Sequence, residues 1–208
     1  MKKEPFLVVY IVEKDFCFEE SFFPEWRKKE IEESTVCRRD KIAVWHALNF
    51  AVKDYLGSNL KDLNPRKTKS EKPVIDGYFI SLSHTRHYTL VTLSNYEVGG
   101  DILYVCELND NYLSQAKIWS KAERKRLNEN KDNMFLKFDY FSKKEALYKF
   151  LDPKVPFDED SRSGFDTVLF EPFFFTSDVN AKHAYFSICS ALIKEGYEPE
   201  IRYIKAPN

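Results

Sequence analysis

One stretch, residues 138–151, constrains more than any other what this chain can fold into. It reads FDYFSKKEALYKFL, and its pattern predicts a helix that ends before Pro153. Phe141, Glu145 and Lys149 follow one another at intervals of four residues, so they share one face of that helix. The face of the helix that packs into the core is predicted to consist of Leu147, Phe150 and Leu151. A carboxylate one turn from an ammonium is common on helix surfaces, so the helix alone does not indicate chemistry.

A second carboxylate, Asp101, lies upstream in the segment Val98–Ile102, directly after Gly99 and Gly100. The two glycines could mark a bulge in a strand. Alternatively, they could let a large ligand approach the backbone while Asp101 binds a cation. If the two halves of the chain face one another, Asp101 and Glu145 could share one metal ion. Two carboxylates, phosphate oxygens and waters form a usual site for Mg²⁺.

Composition and charge exclude several classes of protein. A chain of 208 residues can bury a sizeable core, and a net charge of −1 argues against general nucleic-acid binding. No apolar run approaches the ~18 residues of a membrane helix, so no membrane association is expected. The four cysteines lack the spacing of a zinc site, and a cytoplasmic protein with reduced thiols is expected.

The apolar pattern predicts an α+β fold in two halves, residues 1–108 and 109–208, that form one unit. Each half is expected to be a small antiparallel sheet packed with helices. Helices are predicted at 22–33, 38–56, 118–128 and 141–151. Strands are predicted at 6–12, 78–84, 88–94, 98–105, 164–169, 171–176, 184–189 and 200–204. The strands at 88–94 and 98–105 are expected to form a hairpin around residues 95–97.

The strand predicted at 78–84 ends on a polar segment, Ser83–Thr85. The simpler interpretation is a surface turn, since a lone histidine is more often structural than functional. A regular hairpin would instead place His84 and Asp101 toward the same end of the sheet. The chain has neither a GxSxG elbow nor a glycine-rich phosphate loop, which argues against a serine hydrolase and against the common nucleotide-binding motifs.

Together these motifs resemble those of the 4′-phosphopantetheinyl transferases, specifically the larger, pseudo-symmetric type. The family's GxD segment resembles Gly99–Asp101, and its W-x-x-K-E-A-x-x-K helix resembles Phe141–Lys149. Further landmarks in the family's order are Glu71–Pro73, Ser81–Thr85, Trp119–Glu123 and Tyr185–Cys189. Three positions depart from the family pattern: Phe141 replaces a tryptophan, Leu103 a second carboxylate common in relatives, and Glu71 a glycine. The resemblance implies two pseudo-symmetric halves with the active site at their interface.

The resemblance also implies an activity. The enzyme would move the phosphopantetheine arm of coenzyme A onto a serine of an apo acyl or peptidyl carrier protein and release 3′,5′-ADP. Asp101 and Glu145 would hold Mg²⁺, and Glu145 could also accept the serine proton. Lys144 and Lys149 would stabilise phosphate charge and the leaving group.

For coenzyme A, the resemblance implies that Lys72, Ser83 and His84 bind the nucleotide end, with His84 on a phosphate. The candidates for the 3′-phosphate are Lys29, Arg38 and Arg39, and the guanidinium fork slightly favours the two arginines. A chain that holds both halves of the site could work as a monomer.

Two other hypotheses stay open. The chain could be a non-catalytic relative that binds coenzyme A or a carrier protein, an interpretation that Leu103 and Phe141 motivate. It could also be a structural α+β protein whose motifs are coincidental. Retention of Asp101, Lys144, Glu145 and Lys149 together favours the enzyme, because a pure binding protein would not need both carboxylates.

Overall fold

The computed structural model describes residues 4–14, 23–33, 38–68, 72–104, 118–131, 133–151, 164–179 and 184–205. The strands in these ranges are β1 (Leu7–Glu13), β2 (Arg66–Lys67), β3 (Pro73–Val74), β4 (Phe79–His84), β5 (Tyr88–Ser94), β6 (Val98–Tyr104), β7 (Phe174–Val179), β8 (Ala184–Ser190) and β9 (Glu200–Ile204). The helices are α1 (Glu25–Glu32), α2 (Arg38–Leu56), α3 (Lys121–Glu129), α4 (Met134–Leu151) and α5 (Ala191–Lys194). Short 3₁₀ turns lie at Leu60–Leu63 and Glu171–Phe173.

The expected α+β class is confirmed, with small sheets that are mainly antiparallel. The first sheet has the strand order β4-β5-β1-β9, and its one parallel pair joins β1 to β9. The second sheet has the order β6-β8-β7 and is antiparallel throughout. The boundary predicted near residue 108 lies outside the described residues.

Strand β1 lies between two layers of side chains, which explains its continuous apolar sequence. Its side chains alternate, so that Val8 and Tyr10 pack with helix α2, whereas Val9 and Ile11 pack with residues of the second sheet. Helix α4 covers the second sheet on its other side, where Ala146 and Leu147 pack with Cys189 of β8. The layers therefore follow the order α2, first sheet, second sheet, α4.

The predicted hairpin of β5 and β6 is wrong. Strand β5 pairs with β1 on one edge and with β4 on the other, so neither edge is open to β6. Strand β6 pairs with β8 instead, and residues 95–97 carry the chain from one sheet to the other. As a result β6 contacts β4 and β5 face to face.

Most other elements agree with their predictions, and four details differ. The strand predicted at 171–176 begins only at Phe174, after a 3₁₀ turn. Helix α2 has its predicted bounds and ends at Gly57, whose φ of 63° suits a helix stop. The strand predicted at 164–169 is wrong, because this segment forms turns in which the Asp166 carboxylate accepts from the Val168 N–H. Helix α4 begins seven residues earlier than predicted, and its last residue, Leu151, is 43% exposed rather than buried. In the described part of the chain, no helix is long and apolar enough to cross a membrane.

Candidate active site

The candidate site is built around Asp101, whose side chain is buried on strand β6. Its Oδ1 accepts a 2.7 Å hydrogen bond from Ser83 Oγ and a 2.9 Å hydrogen bond from Lys149 Nζ. Its Oδ2 is buried as well, and no described residue donates a hydrogen bond to it. One carboxylate oxygen is therefore satisfied and the other is not, which is uncommon for a buried charged group.

Gly99 explains how helix α4 comes so close to this strand. A Cβ atom at Gly99 would lie 1.9 Å from the Ala146 carbonyl oxygen and 2.4 Å from the Phe150 nitrogen. Only a glycine at this position allows the helix backbone to pack directly against the strand. The bulge interpretation is wrong, because the β6–β8 register runs unbroken from Val98 to Tyr104. The space beside Gly99 is filled by the helix rather than by a ligand.

Glu145 projects from α4 into the neighbourhood of Asp101. Burial, and after it the negative charge of Asp101, raises the pKa of Glu145 from 4.5 to about 7, while Lys149 opposes the change. Asp101 and Glu145, from a strand and a helix distant in sequence, therefore interact electrostatically. The structure brings together the two carboxylates that the sequence singled out.

Lys149 and Lys72 supply positive charge at the same place. Lys149 Nζ also donates to the Gly100 carbonyl at 3.1 Å, so this ammonium bridges the strand backbone and the Asp101 carboxylate. Lys72 Nζ donates to the main-chain carbonyl of Lys149 at 2.6 Å, near the C-terminus of α4, where a cation is favourable.

Strand β4 contributes the serines of the site. Ser81 Oγ accepts a hydrogen bond from the Gly100 N–H at 2.9 Å, which fixes β4 against β6 across the two sheets. Ser83 lies two residues further on the same strand and reaches Asp101. His84 follows at the strand end, where its side chain is exposed.

Two cavities meet at His84. The larger, of about 750 Å³, is strongly basic and is lined by Lys14, Arg39, Asp40, His84, Thr85, Arg86 and His87. The smaller, of about 240 Å³, is lined by Trp26, Arg27, Lys41, Val44, Trp45, Lys67, Pro73, Leu82, Ser83 and His84. Because Ser83 lines the smaller cavity and also binds Asp101, this cavity leads to the pair of carboxylates.

The smaller cavity has aromatic and cationic walls. Trp26 and Trp45 pack edge to face with their ring centroids 5.2 Å apart. The Arg27 guanidinium lies 5.4 Å from the Trp45 ring, and the Lys67 ammonium lies 5.3 Å from the Trp26 ring. Both cations also form ion pairs with Glu30, so these walls chiefly suit a flat ring.

Lys144 lies apart from both cavities and is completely buried. Its Nζ is 2.7 Å from a Glu123 carboxylate oxygen and donates to the Phe165 carbonyl at 2.5 Å. Burial lowers the pKa of Lys144, and Glu123 opposes this effect. Glu123 also accepts hydrogen bonds from Thr167 and from the Ser120 N–H, the latter as part of a capping box for α3. Lys144 therefore joins α4 to α3 and to the segment 164–170.

The three candidates for the 3′-phosphate lie in different places. Arg39 lines the larger cavity. Arg38 is exposed at the start of α2, and Lys29 is exposed on α1, where its Nζ lies 3.8 Å from a Glu33 carboxylate oxygen. Of the three, only Arg39 is among the residues that line either cavity.

Both departures from the family motif that fall on described residues are part of an apolar cluster. Phe141 is buried with Ile118, Trp119 and Phe138, and Leu103 packs against the same cluster. Leu103 thus extends the core and adds no charge beside Asp101. Glu71 lies outside the described residues.

The site holds fewer acidic groups than a metal site made of protein ligands alone. The described ranges contain no cluster of three or more His, Cys, Asp or Glu side chains suited to a metal ion. The donor set nevertheless fits a hard cation that takes its other ligands from phosphate and water. A cation would satisfy the buried Asp101 Oδ2 and reduce the repulsion between Asp101 and Glu145.

Sequence reasoning missed several residues of the two cavities. The missed residues with charged or aromatic side chains are Lys14, Trp26, Arg27, Asp40, Lys41, Trp45, Lys67, Arg86 and His87. The signal available was the cluster His84–His87, which places two histidines and an arginine after one strand. The sequence around Lys14 did not indicate a site residue, because only the fold brings the end of β1 beside β4.

Comparison of the sequence with protein-family models finds no match, and a search of curated proteins finds no significant match.

Proposed function

We propose that this chain is a Mg²⁺-dependent 4′-phosphopantetheinyl transferase that moves the phosphopantetheine arm of coenzyme A onto a serine of a carrier protein. The observation that carries the proposal is the buried Asp101 carboxylate, whose Oδ2 has no donor among the described residues and whose Oδ1 binds Ser83 at the edge of a cavity lined by basic side chains, with Glu145 close by. Two coupled carboxylates next to cationic walls suit a cation with a phosphorylated ligand.

In this proposal Asp101 and Glu145 hold Mg²⁺. The ion would neutralise diphosphate charge and favour attack at phosphorus. Ser83 orients Asp101 by its hydrogen bond to Oδ1, and Oδ2 has no donor among the residues that the structure describes. Lys149 balances the charge of Asp101 in the resting protein and lies where it can donate to a phosphate oxygen.

The two cavities receive the nucleotide end of coenzyme A. The adenine ring enters the smaller cavity, between the walls that Trp26, Trp45 and Lys67 provide. The 3′-phosphate reaches the larger cavity, where Arg39 is the assigned partner among the three original candidates. Ser83 and His84 lie between this end and the carboxylates, in the path of the diphosphate.

The reaction joins the serine oxygen of the carrier to the phosphorus that bears pantetheine. The bond from that phosphorus to the bridging oxygen breaks, and 3′,5′-ADP leaves with its electron pair. The serine proton passes to Glu145, whose carboxylate lies beside Asp101. Lys149 stabilises the charge that develops on the phosphate oxygens.

The proposal includes two pseudo-symmetric halves that meet at the site in one cytoplasmic polypeptide. Asp101 belongs to residues 1–108 and Glu145 to residues 109–208. The strands do not follow this division, because β6 joins the sheet of β7 and β8, and β9 joins the sheet of β1. Each sheet is therefore completed by a strand from the other half.

The Lys149–Asp101 ion pair favours a second candidate, a non-catalytic protein that binds coenzyme A or a carrier protein. The ammonium already neutralises one of the two carboxylates, and Glu145 with its raised pKa is partly protonated at neutral pH. Such a site attracts a cation less strongly than two ionised carboxylates do.

A mass measurement separates the two functions. The full chain is incubated with coenzyme A, Mg²⁺ and several apo carrier proteins, and the transferase adds about 340 Da to a carrier, the mass of the arm itself. Glu145→Gln abolishes the transfer, whereas Glu129→Gln, an exposed carboxylate on α3, leaves it unchanged. Binding of coenzyme A without transfer to any carrier supports the binding protein, and absence of both overturns the two candidates.

A further inference from the structure

Lys14 is a buried lysine at the junction of three elements. It follows β1, its side chain is only 7% exposed, and its main-chain N–H donates to the His87 carbonyl at 3.0 Å. Its ammonium forms an ion pair with Asp40 in the first turn of α2. The same Nζ lies 3.4 Å from Nδ1 of His84.

This contact determines which nitrogen of His84 carries the hydrogen. An ammonium has three donors and no acceptor. The ring nitrogen that faces Lys14 must therefore accept, and the hydrogen of the neutral imidazole then lies on Nε2. His84 becomes a donor on the edge of the ring opposite Lys14.

Asp40 keeps the ammonium in this place. A buried lysine needs a counterion, and Asp40 is the one carboxylate among the described residues that line the larger cavity. Its position in the first turn of α2 makes the location of Lys14 depend on the packing of the helix against the sheet. The chain Asp40–Lys14–His84 thus links α2 to the end of β4.

We infer that Lys14 and Asp40 are positioning residues that hold His84 as the Nε2–H tautomer, a donor to the phosphate group of a ligand bound where the two cavities meet. His84 lines both cavities, so a donor on its ring serves either one. The assignment of the ligand group as a phosphate depends on the function proposed above. The assignment of the tautomer depends only on contacts within the protein.

The tautomer is tested first, without any ligand. Long-range ¹⁵N–¹H correlation spectra of the full chain at pH 8 separate the two tautomers, and the four histidines of the chain make assignment through His84→Gln practicable. The wild-type spectrum should show His84 as Nε2–H. Lys14→Met should convert it into a mixture, and Lys14→Arg, which keeps a donor, should preserve it.

Two spectral results overturn the inference: Nδ1–H in the wild type, or unchanged Nε2–H in Lys14→Met. Asp40→Asn is the second variant in case Lys14→Met does not fold. It leaves the ammonium without its counterion, and it should lower the Nε2–H population. An unchanged population in Asp40→Asn overturns the role of Asp40.

Calorimetric measurement of coenzyme A binding then tests whether His84 donates a hydrogen bond to a phosphate of the ligand. Lys14→Met should weaken binding about tenfold, the loss expected for a misdirected hydrogen bond to a charged group, and Lys14→Arg should recover most of it. If Lys14→Met alters the tautomer but not the affinity, the contact with the phosphate is overturned. If the wild type does not bind coenzyme A, the proposed function fails while the tautomer result stands.

Discussion

Lys149 donates a 2.9 Å hydrogen bond to Oδ1 of Asp101, so the protein carries its own counterion for the carboxylate at the centre of the site. The ammonium is 24% exposed and the carboxylate 7%, so the pair lies at the edge of the interior. Without Lys149, two carboxylates would face one another unopposed, since Glu145 already interacts unfavourably with Asp101. The stability of the resting protein should therefore depend on this lysine.

Lys149→Met should lower the free energy of unfolding by about 2 kcal/mol in the absence of metal, because it leaves Asp101 buried without its ion pair. It should also raise the pKa of Glu145 further, since Lys149 is the group that lowers it. Urea denaturation with a chelator present measures the first effect.

Excess Mg²⁺ should restore more stability to Lys149→Met than to the wild type if a cation binds the two carboxylates. Lys53→Met, at an exposed lysine on α2, is the matched control and should change stability by less than ~0.5 kcal/mol. Equal stability of Lys149→Met and Lys53→Met would show that the Lys149–Asp101 pair contributes nothing.

Glu145 should make the metal-free protein less stable as the pH rises. Its pKa is about 7 in the folded protein against an ordinary value of 4.5, so the folded state binds this proton more tightly than the unfolded state. Stability from this group is present below pH 4.5 and is lost as the pH rises to 7. The loss amounts to about 3 kcal/mol, at ~1.4 kcal/mol for each pH unit.

Glu145→Gln should remove this dependence. Denaturation at pH 5 and pH 8, compared between wild type and variant, cancels the contribution of other groups, including His46, whose pKa burial lowers to about 4. We expect the wild type to lose about 2.5 kcal/mol more than the variant between the two pH values. Parallel behaviour of the two proteins would mean that Glu145 does not titrate in this range.

The sequence singled out the residues at the centre of the candidate site because they carry local signals. Asp101 follows two glycines, and Glu145 and Lys149 lie one turn apart on one predicted helix. The bounds of β1 and α2 were predictable for the same reason, because an apolar run and a helical period are properties of neighbouring residues.

The sheet partners were not predictable in this way. The segment 95–97 has the length of a hairpin loop, yet both edges of β5 are taken by strands from elsewhere in the chain. The role of Lys14 depends on the same long-range pairing, because β1 reaches the end of β4 only through β5. The prediction that Gly99 marks a bulge or the approach of a ligand was wrong for a related reason. The helix that covers Gly99 comes from more than forty residues away.

Gly99→Ala should separate helix α4 from strand β6. The new methyl group would lie 1.9 Å from the Ala146 carbonyl oxygen, so the helix backbone must move. We expect a loss of about 3 kcal/mol in stability, at the upper end for overpacking. The pKa of Glu145 should fall toward 4.5 as the side chain becomes more exposed and the carboxylates move apart, which side-chain NMR titration measures.

Gly196→Ala is the matched control for this substitution. Gly196 has a φ of 85° but no atom within 4 Å of the added Cβ, so the change tests backbone strain alone and should cost about 1 kcal/mol. If Gly99→Ala is no worse than Gly196→Ala, close contact between helix and strand does not determine the geometry of the site.

Variants of Lys144 can distinguish a structural role of this lysine from a role in binding phosphate. Lys144→Met leaves Glu123 charged and completely buried, so it should destabilise the fold by about 3–5 kcal/mol. The double variant Lys144→Met/Glu123→Gln removes both charges, and it should recover a large part of that loss. A glutamine keeps one oxygen that can accept from Thr167, but its amide nitrogen replaces the oxygen that accepts from the Ser120 N–H, so the recovery should be incomplete.

The folded double variant then decides whether Lys144 contacts a phosphate. A lysine whose ammonium binds Glu123 and the Phe165 carbonyl, with no exposed surface, reaches no ligand. We therefore expect carrier modification by the double variant within a few-fold of the wild-type rate when both are compared well below their unfolding temperatures. A loss of more than a hundredfold with native circular dichroism would return Lys144 to the phosphate-binding role that its place in the helix motif implied.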